Sequence, residues 1–547
     1  MLANNFKALV VVLPLIFGVF FVARKLYAEH IPLAQIDRWR NLFMAVTVIV
    51  LLIANYWLML LVLFVLILGF GFTEKQKPVL FLLLFLAIPP VTQFIPGFAG
   101  IGKLIGFSPQ GFLALIVLTP CLVYGARMRQ LNKSATATDI FFFLYALLVI
   151  ALSFRGTSMT DGFRLITLFY MQAIPVYFVL SRWPKTLGEF NMVTAATVLP
   201  ILALSATAIP EFILQWHFYA HSYSSWFGFS TEVYSSRGGF LRTYGSTSGP
   251  IAFGYLITVG LILSLPILSS KKTSLYGWGV IGLMAAALIT TLSRGPWFGA
   301  ILGAGLYVLN GPQGISRSLK LGIGGLLVMV MLLPTPLGNT IIGLLPFVGG
   351  DAGETIDYRR ELLTVGWQVM LDNPLFGSAD FKEAEAMQEL IQGQGIIDVV
   401  NSYLKIGLES GFIGLGLYLG LHLSAIGALW SSMRKTRVLL PEVSELCRAY
   451  FSAYIAIMFI LATTSSVPPV GMFNFAMAGL AVGLHRVAQE ALAKVKVNAP
   501  AQQTADGSFE EPIAPLSKKS EALKPWQKGA MAGSGNVPKH LQQYLKD

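Results

Sequence analysis

Charge is what this sequence has least of. Only 12% of its 547 residues are charged and 55% are hydrophobic, whereas soluble domains carry roughly 25% charged residues. Too little polar surface is encoded to wrap a core in water, which excludes an ordinary soluble domain. Cysteine is almost missing too. Cys121 sits in an apolar run and Cys447 in a basic loop, which excludes a disulfide framework and any metal-ligand spacing. No internal repeat relates the two halves, so the repeat-built architecture common among transporters finds no support. The formal charge of +12 gathers in short loops and a lysine-bearing tail, and it implies no nucleic-acid partner.

What the chain has instead is long apolar runs. They recur near 6–23, 41–54, 56–72, 79–96, 110–126 and onward to 470–486. The class this predicts is an all-α polytopic membrane protein with about 12 to 15 transmembrane helices of roughly 20 residues each, and a large late external loop containing short helices. The first run lacks a basic segment before it and a small-residue cleavage site after it, so it reads as a span and not a secretory signal. Basic residues cluster at Arg24 to Arg40, Lys75 and Lys77, Arg127 to Lys133, Lys271 and Lys272, Arg434 to Arg448, and after Arg486. The positive-inside rule places these in the cytoplasm. An even number of crossings between clusters then makes 41–72 a hairpin turning at Asn55, with the N-terminus outside and the C-terminus inside. Three regions are expected: an N-terminal transmembrane bundle over 1–240, a core over 241–487, and a disordered cytoplasmic tail over 488–547.

Two external loops are long, near 215–247 and 337–399, and sites concentrate on such loops. The first holds Trp216, His217, Tyr219, His221, Tyr223, Trp226 and Tyr244. These suit sugar faces and lipid headgroups, and equally an interfacial aromatic belt. The second mixes Asp351, Glu354, Asp357, Glu361, Asp372 and Asp398 with arginines, and its 382–392 stretch reads as a surface helix. The external side favours arginine, with Arg155, Arg164, Arg237, Arg242, Arg294, Arg359 and Arg360 against Lys7, Lys103 and Lys382. Arginine grips phosphate with a planar fork, so several arginines around one cleft suit an anionic lipid, above all a diphosphate. Pairing with Asp161, Glu232 or the acids of the second loop is the competing explanation. Arg294 stands out because Gly295 and Pro296 follow it. It therefore sits at a helix start, where unpaired N–H groups and the helix dipole favour anions.

Four segments together resemble a known group. TLSRGPWFG at 291–299, YRRELLTVGWQVMLDNPLFG at 358–377, VVNSYLKIGLESGFIGLGLYL at 399–419 and RTYGSTSGP at 242–250 are similar, in order, to motifs of the O-antigen ligase and polymerase superfamily of bacterial envelope glycosyltransferases. The resemblance implies a multi-pass protein of the inner (cytoplasmic) membrane with its large loop in the periplasm. It also implies a metal-independent, cofactor-free transfer of a glycan from an undecaprenyl-diphosphate carrier to an acceptor. Arg242, Arg294 and Arg359 match the family arginines held to grip the diphosphate; Arg237, Arg360, Asn401 and Tyr403 are further candidate substrate contacts.

One position departs from the family. Val400 stands where family ligases place a histidine before the Asn-x-Tyr-Leu element, and valine takes no proton. Asp398 is the nearest titratable group, as base or as helix N-cap; His217 and His221 are alternative bases. The expected function is polymerisation of exopolysaccharide or O-antigen repeat units. A ligase using a lipid or protein acceptor is the alternative within the family, and a flippase of lipid-linked sugars the alternative from another class. Expected partners are the lipid-linked glycan, a glycan acceptor, membrane lipid and other polysaccharide-assembly proteins.

Overall fold

The structure is a computed structural model. It describes residues 2–498 apart from 75, 98–101, 125–135, 221, 223–225, 227–235, 238, 270–273, 333, 335–349, 392–396 and 466–468. The expectations for His221, Tyr223 and Glu232, and for the tail beyond 498, therefore lie outside the described residues.

The chain opens with α1 (Leu2–Leu26). α2 (Leu33–Leu52) and α3 (Tyr56–Thr73) then form the expected hairpin, and the Asn55 side chain accepts from the Leu58 N–H to cap α3. The expected span over 79–96 is corrected. α4 (Lys77–Leu84) stops early, the chain turns, and β1 (Gln93–Pro96) pairs antiparallel with β2 (Lys103–Phe107). Pro89 and Pro90 supply no amide donors and cannot prolong the helix. Irregular backbone at membrane depth survives only where protein supplies partners. Here Gln110 Nε2 donates to the carbonyls of Phe85 (3.1 Å) and Ile88 (2.8 Å), and Ser246 Oγ to that of Leu86 (2.5 Å).

α5 (Pro109–Leu113), a π turn (Ala114–Leu118) and α6 (Thr119–Tyr124) follow. Next come α7 (Ala137–Leu152), α8 (Met159–Gln172), α9 (Ile174–Arg182) and α10 (Leu187–Ile213). A buried acid ties three elements together: Asp139 on α7 pairs with Arg182 at 2.9 Å and with Arg486, near the end of the chain, at 2.7 Å. After the short β3 (Ser236–Arg237) and β4 (Phe240–Leu241) hairpin come α11 (Pro250–Ser264), α12 (Ser274–Thr290), α13 (Arg294–Leu309) and α14 (Gly314–Leu332).

The late loop contributes α15 (Gly350–Asp372). The expected surface helix over 382–392 is instead a 3-10 turn (Phe381–Glu383) and the one-turn α16 (Glu385–Gln388). Its apolar residues Phe381, Ala384, Met387 and Leu390 recur every third position, which suits three residues per turn. They pack into a second, smaller core with Leu362, Met370 and Leu408. α17 (Ser402–Thr436), α18 (Pro441–Leu461) and α19 (Val470–Asn498) complete the described chain. α19 continues past the expected tail boundary at 488, because Ala488 and Leu492 remain buried.

Seven helices among the described residues are long and apolar enough to cross a membrane, and shorter apolar helices accompany them. The all-α polytopic class holds, with two small hairpins added. The main core runs continuously from Ala8 to Leu492. One contact within it positions the site. Gly295, Gly299 and Gly303 lie on one face of α13, and a Cβ at any of them would collide with Thr463, Ile460 or Ile262. Small residues at every fourth position let helix backbones approach closely, so α13 lies tight against α18 and its first turn meets Thr463.

Candidate functional site

The turn between α12 and α13 is the hub of the site. Leu292 there has φ of 48°, a left-handed conformation that a branched apolar side chain rarely adopts and that the surroundings must enforce. Hydrogen bonds from the 236–243 segment do so. Arg237 Nη1 donates to the Leu292 carbonyl at 2.7 Å. Arg242 Nε donates to the Thr291 carbonyl at 3.1 Å and its Nη2 to Ser293 Oγ at 2.8 Å. Thr243 joins its hydroxyl to that of Thr290 at 2.7 Å. The Ser293 hydroxyl, turned toward Arg242 and the Thr291 carbonyl, makes no side-chain cap on α13, which begins at Arg294 with Pro296 in its first turn.

The segment carrying Arg242 is itself pinned from below. Glu211, fully buried near the end of α10, accepts from the Tyr244 N–H at 3.2 Å and shares a 2.5 Å hydrogen bond with His217 Nδ1. The His217 ring lies 4.0 Å from the Tyr244 ring. His217 is 1% exposed, so the structure places this expected substrate contact inside the protein, as a support for the arginine segment. Among the first-loop aromatics, Tyr219 and Trp226 are likewise buried.

Arg359 approaches from α15. Its Nη2 donates to the Thr463 carbonyl at 3.3 Å, just beyond the end of α18, and Arg294 and Asp398 lie within electrostatic reach. Asp398 Oδ1 accepts from Ser465 Oγ at 2.6 Å, and its carbonyl accepts from the Tyr358 hydroxyl at 3.0 Å. The N-cap alternative for Asp398 is corrected. Asn401 caps α17, accepting from the amides of Tyr403 and Leu404, because the cap must lie directly before the first helical residue. Tyr403 donates to the Met458 carbonyl at 2.7 Å. Asn401 and Tyr403 are thus both engaged within the fold. Arg360 is exposed, turned about 100° from Arg359 around the helix, and does not join the others.

Like charges crowd this region. Burial and then the neighbouring Arg237 push the Arg242 guanidinium down to about 10. Burial and then Arg294 lower that of Arg359, against the opposing pull of Asp398. Two other arginines serve the fold. Arg164 pairs with Asp161 and bonds the β2 carbonyls of Lys103 and Leu104.

Arg155 holds the Asn373–Gly377 turn against α17, donating to the carbonyls of Phe376, Gly377 and Glu409 at 2.7 to 2.8 Å. Gly377 and Gly411 both have φ of 66°, which only glycine adopts without strain. The break at Gly411 lets the Phe412 amide bond Pro374 and the Ser378 amide bond Leu408. This docking carries α15 and Arg359 toward the turn.

Glu211, Thr463 and Ser465 escaped the sequence reading, although an acid inside an apolar run and a cluster of hydroxyls at a span end are legible signals. Among the described residues no group of three or more histidine, cysteine, aspartate or glutamate side chains is gathered for a metal ion.

No curated protein sequence matches the chain. The family model described as O-antigen ligase matches residues 279–419. That stretch contains Arg294, Arg359, Asp398 and the glycine break, while Arg237 and Arg242 lie before it. With these motifs set around one turn of a polytopic helical protein, the match over 279–419 supports a place for this region in the O-antigen ligase and polymerase superfamily.

Proposed function

We propose that the protein is an inner-membrane glycosyltransferase that uses an undecaprenyl-diphosphate-linked glycan as donor and polymerises exopolysaccharide or O-antigen repeat units at the periplasmic face. One observation carries this reading. Two like-charged couples, Arg237 with Arg242 and Arg294 with Arg359, bracket the single turn at 291–295. Partly buried guanidiniums that repel each other are stabilised by an anion of matching charge, and a diphosphate offers two phosphate groups to grip.

In the reaction an acceptor hydroxyl attacks the anomeric carbon of the donor sugar. The bond from that carbon to the diphosphate oxygen breaks, its electron pair stays on the oxygen, and the hydroxyl proton passes to a base. Arg242, Arg294 and Arg359 strengthen their hold as negative charge grows on the departing diphosphate, which lowers the barrier. Asp398, oriented by Ser465 and beside Arg359, is the proposed base in place of the histidine that Val400 replaces. In polymerisation the growing chain on its carrier is the donor and a lipid-linked repeat unit the acceptor.

The test is direct. Purified protein given lipid-diphosphate-linked repeat units lengthens the glycan without added nucleotide or metal, and Arg294→Ala and Arg359→Ala abolish this. Normal turnover by both variants overturns the site. The ligase reading draws on the description of the matched family, and transfer to an acceptor that bears no carrier would establish it. Movement of lipid across vesicles with no new glycosidic bond would mean a flippase.

A further inference from the structure

The opposite end of α13 carries a second positive site. Arg294 and Leu309 are the first and last of the sixteen residues of α13, roughly 22 Å apart at 1.5 Å rise per residue, so the two sites lie at opposite ends of this helix. A cavity of about 240 Å³ opens there, lined by Asn310, Arg317, Arg437, Ser444, Glu445 and Arg448 among others. Three guanidiniums face one carboxylate.

Arg448 is built into its place. Its Nη2 bonds Glu445 Oε1 at 3.2 Å, the Tyr307 hydroxyl donates to the same oxygen at 2.9 Å, and the guanidinium lies 4.1 Å from the Tyr307 ring centre. Gly311 leaves room for it, since a Cβ there would collide with Arg448 Nη1. The Arg448 Nε is buried with no hydrogen-bond partner, a costly state. Among the described residues Arg317 and Arg437 make no ion pair.

The rim identifies the ligand's other half. Leu309, Ile315, Val438 and Leu439, beside the lining residues in sequence, are exposed, Val438 by 88%. A soluble anion has no use for such a border, whereas acyl chains cover it. The cavity is smaller than the roughly 300 Å³ at which sites for whole drug-sized ligands begin, so it suits a headgroup phosphate and no glycan. We infer that it binds the phosphate of an anionic phospholipid in the leaflet opposite the arginine turn. Basic pockets between helices near a membrane surface recognise such headgroups.

The experiment uses the full chain, delipidated in detergent and titrated separately with phosphatidylglycerol, phosphatidylcholine and inorganic phosphate, with occupancy read by native mass spectrometry. Phosphatidylglycerol should bind in preference to both others. Arg317→Ala combined with Arg437→Ala should weaken it about 25-fold, the product of roughly fivefold per arginine near a membrane surface. Both residues are exposed, so the variant retains its fold. Arg434→Ala with Lys435→Ala removes two exposed charges outside the cavity and should leave binding intact. Equal affinity for phosphatidylcholine, equal loss in the control variant, or no loss in the cavity variant overturns the proposal. Inorganic phosphate binding as tightly as the lipid would reassign the site to a soluble anion.

Discussion

Arg242 Nη2 donates to Ser293 Oγ at 2.8 Å, and this bond joins an arginine of the long first loop to the residue immediately before Arg294. The turn therefore holds its shape through side chains distant in sequence, and the charges that would meet a diphosphate are fixed before substrate arrives. Preorganised charge costs no rearrangement at the moment of reaction.

Replacing Arg242 tests that relationship. Arg242→Ala removes both bonds to the turn and one positive charge, and kcat/KM for glycan transfer should fall about 10²- to 10³-fold, as on loss of an oxyanion donor. Arg242→Lys keeps the charge but not the fork, so it should fall between alanine and wild type. Full activity in both variants would remove Arg242 from the site.

The depressed Arg242 value sets a pH dependence. A cation whose proton is held more weakly in the folded chain than in the unfolded one burdens the fold below about 10. That burden is relieved as pH rises from there toward the ordinary arginine range. An anion bound at the guanidinium stabilises its charged form, so the dependence of ligand binding runs the other way. Calorimetric titration with a dialkyl diphosphate diester, which has no proton left to lose above neutrality, should show affinity steady between about pH 7 and 9 and declining beyond about 10. A decline centred near neutrality would point to a histidine.

Gly295 lets α13 reach Thr463. A Cβ at Gly295 would lie 2.5 Å from Thr463 Oγ1, whereas one at Gly305 meets nothing within 4 Å. Gly295→Ala should destabilise the protein by about 1 to 3 kcal/mol, the usual cost of overpacking. It should also lower turnover by moving Arg294 away from Arg359. Gly305→Ala should be neutral or slightly stabilising in thermal denaturation. Indistinguishable melting curves for the two variants would refute the close-packing argument.

Asp398 and Asn401 separate by kind of damage. Asp398→Asn keeps the size and the contact with Ser465 but accepts no proton, so turnover should drop about 10²- to 10⁴-fold with thermal stability unchanged. Asn401→Ala loses the cap of α17 and should cost about 0.5 to 2 kcal/mol of stability with a smaller effect on rate. An active Asp398→Asn enzyme would place the base elsewhere.

Much of the scaffold was legible in local sequence. The hairpin at Asn55 follows from loop charge and a capping side chain, and the start of α13 follows from Arg-Gly-Pro. The broken segment after α4 was not legible, because hydropathy reports burial and not helicity. Phe85 to Ile88 are as apolar as any span, but their carbonyls depend on Gln110 and Ser246 from elsewhere in the chain. Asp398 could be read as base or as cap until the helix start was known, and the capping role of Asn401 was not read at all. His217 read as a substrate contact or alternative base because Glu211, its buried partner, lies within an apolar run and gives no local sign of what it holds.

Composition, apolar runs and the order of the motifs were enough to indicate a polytopic helical protein and the family that residues 279–419 match, since these are properties of neighbouring residues along the chain. They could not say which arginines serve the fold and which meet at the turn. Arg155 and Arg164 look like Arg242 and Arg359 in sequence. Their separation from the arginines that meet at the turn depends on where Gly295, Gly299 and Gly303 let α13 settle against α18, and on where the break at Gly411 lets the Asn373–Gly377 turn dock. Those contacts join residues far apart in the chain, and close packing in three dimensions alone decides them.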